Sequence, residues 1–290
     1  MLGMGEIGSA LAMVLSDNHH VAVNPWDKNA DVVRSQQPLE AVASSADAVF
    51  ACVPTWVLGN ALHSVSPFLK PDCPIVTVSK GYEMETCKTV TEIMRECFPD
   101  AQPRLHLAVP MLAEELMRKL PTVALLAGTD RRARTAVKAM FRGTALTIRT
   151  SSDVVGATTA GALKNAYAIG LGIAESLAFG DNARGWLIAL MADEMARIVV
   201  RQGGKRATAL GIAGLGDLVA TGTSARSGNR AVGVEIAHKQ MPSKPSEGLR
   251  VIACAPRLFG DDLPSFPVLH ALHRIVEGRE DAALLLSLIR

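Results

Sequence analysis

A chain of 290 residues, 49% apolar and 20% charged, is long enough for roughly two domains with substantial cores. Its 30 basic and 28 acidic side chains leave a formal net charge of +2, which excludes the basic field that nucleic acid or an anionic membrane needs. Aromatic residues at 4% argue against base-stacking surfaces, and no stretch of about eighteen residues runs apolar without a charge, so membrane insertion is not expected.

The chain opens on Gly3-Met4-Gly5-Glu6-Ile7-Gly8, a G-x-G-x-x-G run that leads into an amphipathic helix over 7–15. Gly3, Gly5 and Gly8 permit a tight turn, close approach of a pyrophosphate and close helix packing, with phosphate at the helix N-terminus. Asp27, 24 residues after Gly3, stands where a carboxylate binds the ribose hydroxyls of NAD. Two features fit badly. Glu6 brings negative charge beside the pyrophosphate, and only Met1 and Leu2 precede the loop, where a buried central strand of ordinary length is required. The expectation is a natural start several residues upstream; the alternative is a damaged nucleotide site.

Strands are expected over 20–23, 48–53, 75–79, 105–108, 122–126 and 145–149, with helices over 57–65, 85–97 and 131–140 between them. Near-continuous apolar runs such as Ala48-Val49-Phe50-Ala51-Cys52-Val53 suit a parallel sheet covered on both faces. The alternation predicts an α/β, Rossmann-like doubly wound sheet whose first strand is truncated. After Ser151 the pattern changes. Asp153 caps a long helical run over 154–179, a second helix follows over 184–201, and no strand pattern returns. The expected division is a nucleotide-binding domain over 1–150 and an all-helical substrate domain over 151–290, with 240–247 as the one linker-like stretch.

Five cysteines without C-x-x-C spacing and no recognisable leader predict free thiols in a reducing compartment, hence the cytoplasm. The seven histidines fall in no ligand pattern, so no metal is expected. Lys164 lies in an otherwise apolar or small stretch, 157–172, where an unpaired ammonium is costly and loses its proton easily. Asp217, in Gly214-Leu215-Gly216-Asp217, can supply its partner, and an Asp-tuned lysine suits proton donation to a carbonyl under reduction.

These residues resemble the bacterial NAD(P)-dependent glycerol-3-phosphate dehydrogenases, the chain standing as a divergent member. The resemblance rests on Gly161-Ala162-Leu163-Lys164-Asn165, Gly172-Ile173-Ala174, Gly180-Asp181-Asn182, Glu194-Met195-Ala196-Arg197, the segment from Ala213 to Val219 with Thr221, and Val78-Ser79-Lys80-Gly81. It implies hydride transfer between NAD(P)H and dihydroxyacetone phosphate to give sn-glycerol 3-phosphate, a phospholipid precursor. By motif match, Lys164 is the acid–base group, Asp217 sets its charge state, and Lys80 adds positive potential at the carbonyl. Asn165 and Thr221 hold substrate oxygens, and Glu247 lies near the cofactor.

The chain departs from the family pattern at three places. Ser227-Gly228-Asn229-Arg230 has glycine where the family places its phosphate-gripping arginine, which leaves Asn229 and Arg230, with Arg226 nearby, for the phosphate. Val109-Pro110-Met111-Leu112 replaces Gly-Pro-Ser-Phe, and Thr158 replaces a glutamate. Asp27 repels a 2′-phosphate and favours NAD over NADP, although Lys28 follows it. Helical domains of this type often pair, so a homodimer is an expectation. Two other readings stay open: a non-catalytic nucleotide-binding relative, and a reductase of a non-phosphorylated 2-keto or 2-hydroxy compound.

Overall fold

The computed structural model describes residues 1–108, 110 and 112–288. Val109 and Met111 of the substituted Gly-Pro-Ser-Phe motif therefore lie outside the described residues. The chain divides into two compact units, Met1–Ser79 with Val90–Ala157, and Lys80–Thr89 with Thr158–Arg290.

The first unit is built on a five-stranded sheet of β1 (Val49–Ala51), β2 (Ile75–Thr77), β3 (Arg104–Ala108), β4 (Thr122–Gly128) and β5 (Leu146–Ser151), in that spatial order. All pairs are parallel except β3 with β4, which run antiparallel and pair Leu105 with Gly128. Alternate residues face opposite sides, so the apolar runs bury both faces. Phe50 and Val76 join Leu11, Val14 and Leu15 of α1 (Glu6–Ser16). Val49, Ala51 and Ile75 pack against Leu58 and Leu62 of α3 (Thr55–Val65) and against Ile93 and Met94 of α4 (Val90–Cys97). The remaining helices of this unit are α2 (Leu39–Ser45), α5 (Ala113–Met117) and α6 (Arg131–Met140).

The strand expected over 20–23 does not form. A strand needs a neighbour for its N–H and C=O groups, and the backbone bonds of Met1 and Gly3 on this side go to Asn24 and Trp26, beyond residues 20–23. Leu2 makes isolated parallel bridges to Trp26 on one side and Ala51 on the other. Its N–H donates to Phe50 C=O (2.8 Å), and its C=O accepts from Cys52 N–H (2.8 Å). Beside this single rung lies a cavity of about 450 Å³ bordered by Met1, Leu15, Val23, Phe50 and Met140.

Residues 85–89 also depart from the expected helix over 85–97. Cys87 has φ of +56°, a left-handed conformation no α-helix accommodates, and it is joined by a disulfide to Cys254 with Cα atoms 5.5 Å apart. The expectation of free thiols holds for the buried Cys52, Cys73 and Cys97 and is corrected for this pair. Tyr82 and Cys87 are buried in the core of the second unit.

Apart from residues 80–89, where Tyr82 and Thr89 form an isolated antiparallel bridge, the named elements of that unit are helices: α7 (Val154–Ser176), α8 (Asp181–Arg201), α9 (Arg206–Ala209), α10 (Asp217–Thr223), α11 (Gly228–Ala237), α12 (Glu247–Phe259), α13 (Pro267–Val276) and α14 (Leu284–Ser287). Asp153 Oδ1 accepts from Gly156 N–H (2.9 Å) at the start of α7, the expected cap. Glycines on α7 and on the helix packed against it let the neighbours approach backbone to backbone. A Cβ on Gly172 would lie 2.0 Å from the Arg230 carbonyl oxygen, and one on Gly248 would lie 2.5 Å from that of Asn165. These two contacts set α11 and α12 directly against the helix that carries Lys164.

Candidate active site

Three elements of the helical unit converge on Asp217. Lys164 and Asn165 come from the middle of α7, and Lys80 from the segment 80–89. Asp217 opens α10, which follows a wide turn over Ile212–Gly216. In that turn the Gly216 N–H reaches five residues back to the Gly211 carbonyl (3.0 Å), and a Cβ on Gly214 would lie 1.9 Å from the Ala209 carbonyl oxygen. The Gly214-Leu215-Gly216 spacing therefore shapes the turn that aims Asp217 inward.

The two lysines share this carboxylate. Lys80 Nζ donates to Asp217 Oδ2 (2.6 Å), and Lys164 Nζ lies 3.1 Å from Oδ1. Thr221, one turn along α10, donates to Asp217 Oδ1 (2.9 Å) and accepts from Lys164 Nζ (2.9 Å). Asp217 is 0% exposed, Lys164 6% and Lys80 9%, so solvent screens these charges poorly. Burial pushes Asp217 upward, but the two ammonium groups outweigh it and hold the carboxyl below its usual range. Burial lowers Lys164 to about 8, against the upward pull of Asp217 and with further lowering from Lys80. With both lysines protonated the cluster carries one net positive charge in a dry pocket, which suits a developing alkoxide.

Two supports hold α7 in place. Asn165 Nδ2 donates to the Lys80 carbonyl (2.8 Å), and Asn229 Nδ2 at the start of α11 donates to Asn165 Oδ1 (2.9 Å). Tyr167 donates to Glu194 Oε1 (2.9 Å), and the Glu194 carboxylate also accepts from the N–H groups of Val268 and Leu269 (2.8 Å each) at the start of α13. Burial raises Glu194, and a helix N-terminus is a favourable place to put a buried carboxylate. Glu194 figured in the sequence only as part of a motif; an acidic residue on the apolar face of α8 was the signal for a buried partner.

Arg230 turns its guanidinium to Glu175, with Nε 2.6 Å from Oε2 and Nη2 bonded to Oε1, so this arginine is already paired. Gly228 opens α11, and nothing stands within 4 Å of where its Cβ would be. Glu247 is the first residue of α12, after Ser246, whose hydroxyl caps that helix by accepting from Leu249 N–H (3.2 Å).

In the first unit Gly3 has φ of +90°, and a Cβ on Gly8 would lie 1.9 Å from the Gly3 carbonyl oxygen, so both glycines are required by the turn. Nothing stands within 4 Å of a Cβ on Gly5, the cap of α1, which leaves the helix N-terminus open to an anion. Asp27 Oδ2 accepts from Met4 N–H (2.7 Å) and Oδ1 from Asn29 N–H (2.9 Å). An ionised carboxylate keeps further lone pairs for ribose hydroxyls, so the residues present fit a dinucleotide. Glu6 is exposed and can turn its charge toward solvent. Among the described residues no group of three or more His, Cys, Asp or Glu is arranged to hold a metal ion, and no helix is long and apolar enough to cross a membrane.

Comparison with known proteins matches residues 30–134 to the model of the NAD-dependent glycerol-3-phosphate dehydrogenase N-terminus and residues 153–287 to that of the C-terminus. A glycerol-3-phosphate dehydrogenase [NAD(P)+] 1 of Mycobacterium bovis is 39% identical over 207 residues, 71% of this chain; the match spans 60% of that relative's length. Glycerol-3-phosphate dehydrogenases [NAD(P)+] of Serratia proteamaculans and Rhizobium etli are 34% and 32% identical, covering 81% and 97% of this chain and 76% and 86% of theirs. The crystal structure of glycerol-3-phosphate dehydrogenase from Coxiella burnetii superposes with a TM-score of 0.87 at 26% identity, over 100% of this chain and 97% of that one. Ketopantoate reductase from Ralstonia eutropha, at 18% identity and a TM-score of 0.56, shares the fold alone. Family models on both halves of the sequence and relatives matched over most of their length agree that this chain belongs to the NAD-dependent glycerol-3-phosphate dehydrogenase family.

Proposed function

We propose that this chain reduces dihydroxyacetone phosphate to sn-glycerol 3-phosphate with a nicotinamide cofactor and so supplies a glycerophospholipid precursor. The observation that carries the reading is the buried carboxylate of Asp217 shared by Lys80 and Lys164. When bound, the nicotinamide supplies the hydride. Lys164, brought near 8 by burial, can give a proton to the C2 oxygen at neutral pH and take it back in the reverse direction. Asp217 keeps that lysine charged, Thr221 fixes its ammonium, and Lys80 adds positive potential where the oxygen gains charge. Residues 1–150, with Gly3, Gly5, Gly8 and Asp27, take the cofactor in this reading, and residues 151–290 carry the substrate. The Asp27 carboxylate favours NAD over NADP, whose 2′-phosphate it would repel, and Glu247 at the head of α12 serves the cofactor. Asn165, Thr221, Asn229 and Arg230 remain the candidates for holding substrate oxygens.

A second reading keeps the chemistry and changes the substrate to a 2-keto compound without phosphate. Gly228 in place of an arginine favours it, as does the pairing of Arg230 with Glu175. A cytoplasmic, homodimeric enzyme belongs to the main reading; Trp186 and Val200, each 53% exposed on α8, are apolar surface that pairing could cover. Sedimentation velocity reports the assembly. For the activity, Lys164→Ala should abolish oxidation of NADH by dihydroxyacetone phosphate while NADH still binds, as read by its fluorescence. A variant that reduces this substrate at the parent rate would remove the catalytic assignment. A parent that reduces 2-keto acids but not dihydroxyacetone phosphate would establish the second reading.

A further inference from the structure

Ser246 caps α12, and its hydroxyl also donates to Asn229 Oδ1 (2.7 Å). From there a line of hydrogen bonds runs to the site. Asn229 Nδ2 donates to Asn165 Oδ1 (2.9 Å), and Asn165 Nδ2 donates to the Lys80 carbonyl (2.8 Å). The Gly248 N–H adds a second donor to Asn229 Oδ1 (3.2 Å). Every donor in the line points toward Lys80. Neither amide can flip without setting oxygen against oxygen or N–H against N–H, because the Gly248 N–H can only donate and the Lys80 carbonyl can only accept; the Ser246 hydroxyl donates into a line whose polarity these two ends fix. Ser246, Asn165 and Lys80 are buried and Asn229 is half-buried, so a lost member leaves buried polar groups short of a partner at both ends of the line.

We infer that Ser246 is a positioning residue for the reduction: through Asn229 and Asn165 it holds the backbone of Lys80, and with it the ammonium that faces Asp217. The inference rests on the reading of the lysine cluster as the site of carbonyl reduction. Ser246 touches neither substrate nor reacting atoms. The competing explanation is that it caps α12 and does nothing more.

Three substitutions separate the two. Ser246→Thr keeps both the cap and the donor. Ser246→Ala removes both. Ser246→Asp keeps the cap, since a carboxylate accepts from the Leu249 N–H, but offers Asn229 only an acceptor. Asn229 is then caught between a carboxylate that only accepts and the Gly248 N–H that only donates, and no orientation of its amide satisfies both, so the line to Asn165 and the Lys80 carbonyl loses its fixed support. Steady-state reduction of dihydroxyacetone phosphate by NADH should give a kcat about tenfold lower for the Ala and Asp variants and a parental kcat for Thr, the loss of one good hydrogen bond.

The groups facing Lys164 are Asp217, Lys80 and the Thr221 hydroxyl. Loosening Lys80 relieves its repulsion, so the alkaline limb of the pH–rate profile should move to higher pH in the Ala and Asp variants and stay in Thr. A cap alone would lower the melting temperature of the Ala variant only and would leave kcat and the pH limb of the Asp variant at parental values; that pattern overturns the inference. A parent inactive on this substrate would count against the proposed function instead. Hydrogen exchange over residues 80–89 would then decide, with faster exchange in Ala and Asp but not in Thr supporting the line and equal exchange in all overturning it.

Discussion

Asp217→Asn tests the charge argument at its centre. The substitution keeps the size of the side chain and an oxygen that can accept from Thr221, but it removes the counterion shared by Lys80 and Lys164 and sets an amide N–H against an ammonium. At the observed 3.1 Å between Lys164 Nζ and the carboxylate, Coulomb's law with an effective dielectric of about 20 gives roughly 5 kcal/mol. If about half of this reaches the proton equilibrium, the lysine titrates roughly two units lower, since one unit is about 1.4 kcal/mol. The parent Lys164, at about 8, is mostly protonated at neutral pH, and the variant would be mostly neutral there. The proton needed for reduction is bound below the pKa and lost above it, so the rate of reduction falls as pH rises through that value and the reverse reaction gains.

The assay is steady-state NADH oxidation between about pH 5.5 and 9.5, with a thermal melt alongside. The expected result is an alkaline limb moved down from about 8 by roughly two units and kcat at neutral pH lowered about tenfold. Stability should drop by about 3 to 5 kcal/mol, because two buried ammonium groups lose their partner. An unchanged limb with kcat within about twofold of the parent would refute the claim that Asp217 sets the charge state of Lys164.

Four further outcomes are expected. Gly228→Arg meets open space at its Cβ, and a guanidinium there should lower KM for dihydroxyacetone phosphate about tenfold or more, a charge-assisted hydrogen bond contributing about 1.5 to 3 kcal/mol; steady-state kinetics read it directly. Gly248→Ala would push a methyl to 2.5 Å from the Asn165 carbonyl oxygen and should cost about 1 to 3 kcal/mol in a denaturant melt, with α12 displaced from α7. Thiol titration of the unfolded, unreduced protein should find the three cysteines Cys52, Cys73 and Cys97, and after reduction Cys87 and Cys254 as well. With 167 residues between its ends, that disulfide can contribute up to about 5 kcal/mol, and Cys254→Ser should lower the melting temperature accordingly.

Much of the chemistry was legible because it depends on residue type in a local pattern. A lysine in the apolar run of α7 had to have a partner, since a buried ammonium is costly alone, and Asp217 between glycines was the candidate. The β1 and β2 segments could be read as strands because apolar residues on both faces leave a near-continuous run. The cap at Asp153 and the helix over 131–140 follow from capping chemistry and periodicity.

What the sequence left open depended on distant pairing. Residues 20–23 have strand composition but no ladder, because a strand exists only through a neighbour's N–H and C=O groups, and Leu2 supplies a single rung. Residues 85–89 look helical, yet the disulfide and the left-handed Cys87 take them into the helical unit and bring Lys80 to Asp217. The sequence paired Asp217 with Lys164 and did not anticipate that Lys80 would make the shorter contact. Ser246 carried only a cap signal, and its donation to Asn229 required α11 and α12 to meet α7. The sequence by itself determined which groups could not be buried alone; the tertiary structure decided which of them would satisfy one another, because hydrogen bonds and ion pairs are settled by distance in space and not by spacing along the chain.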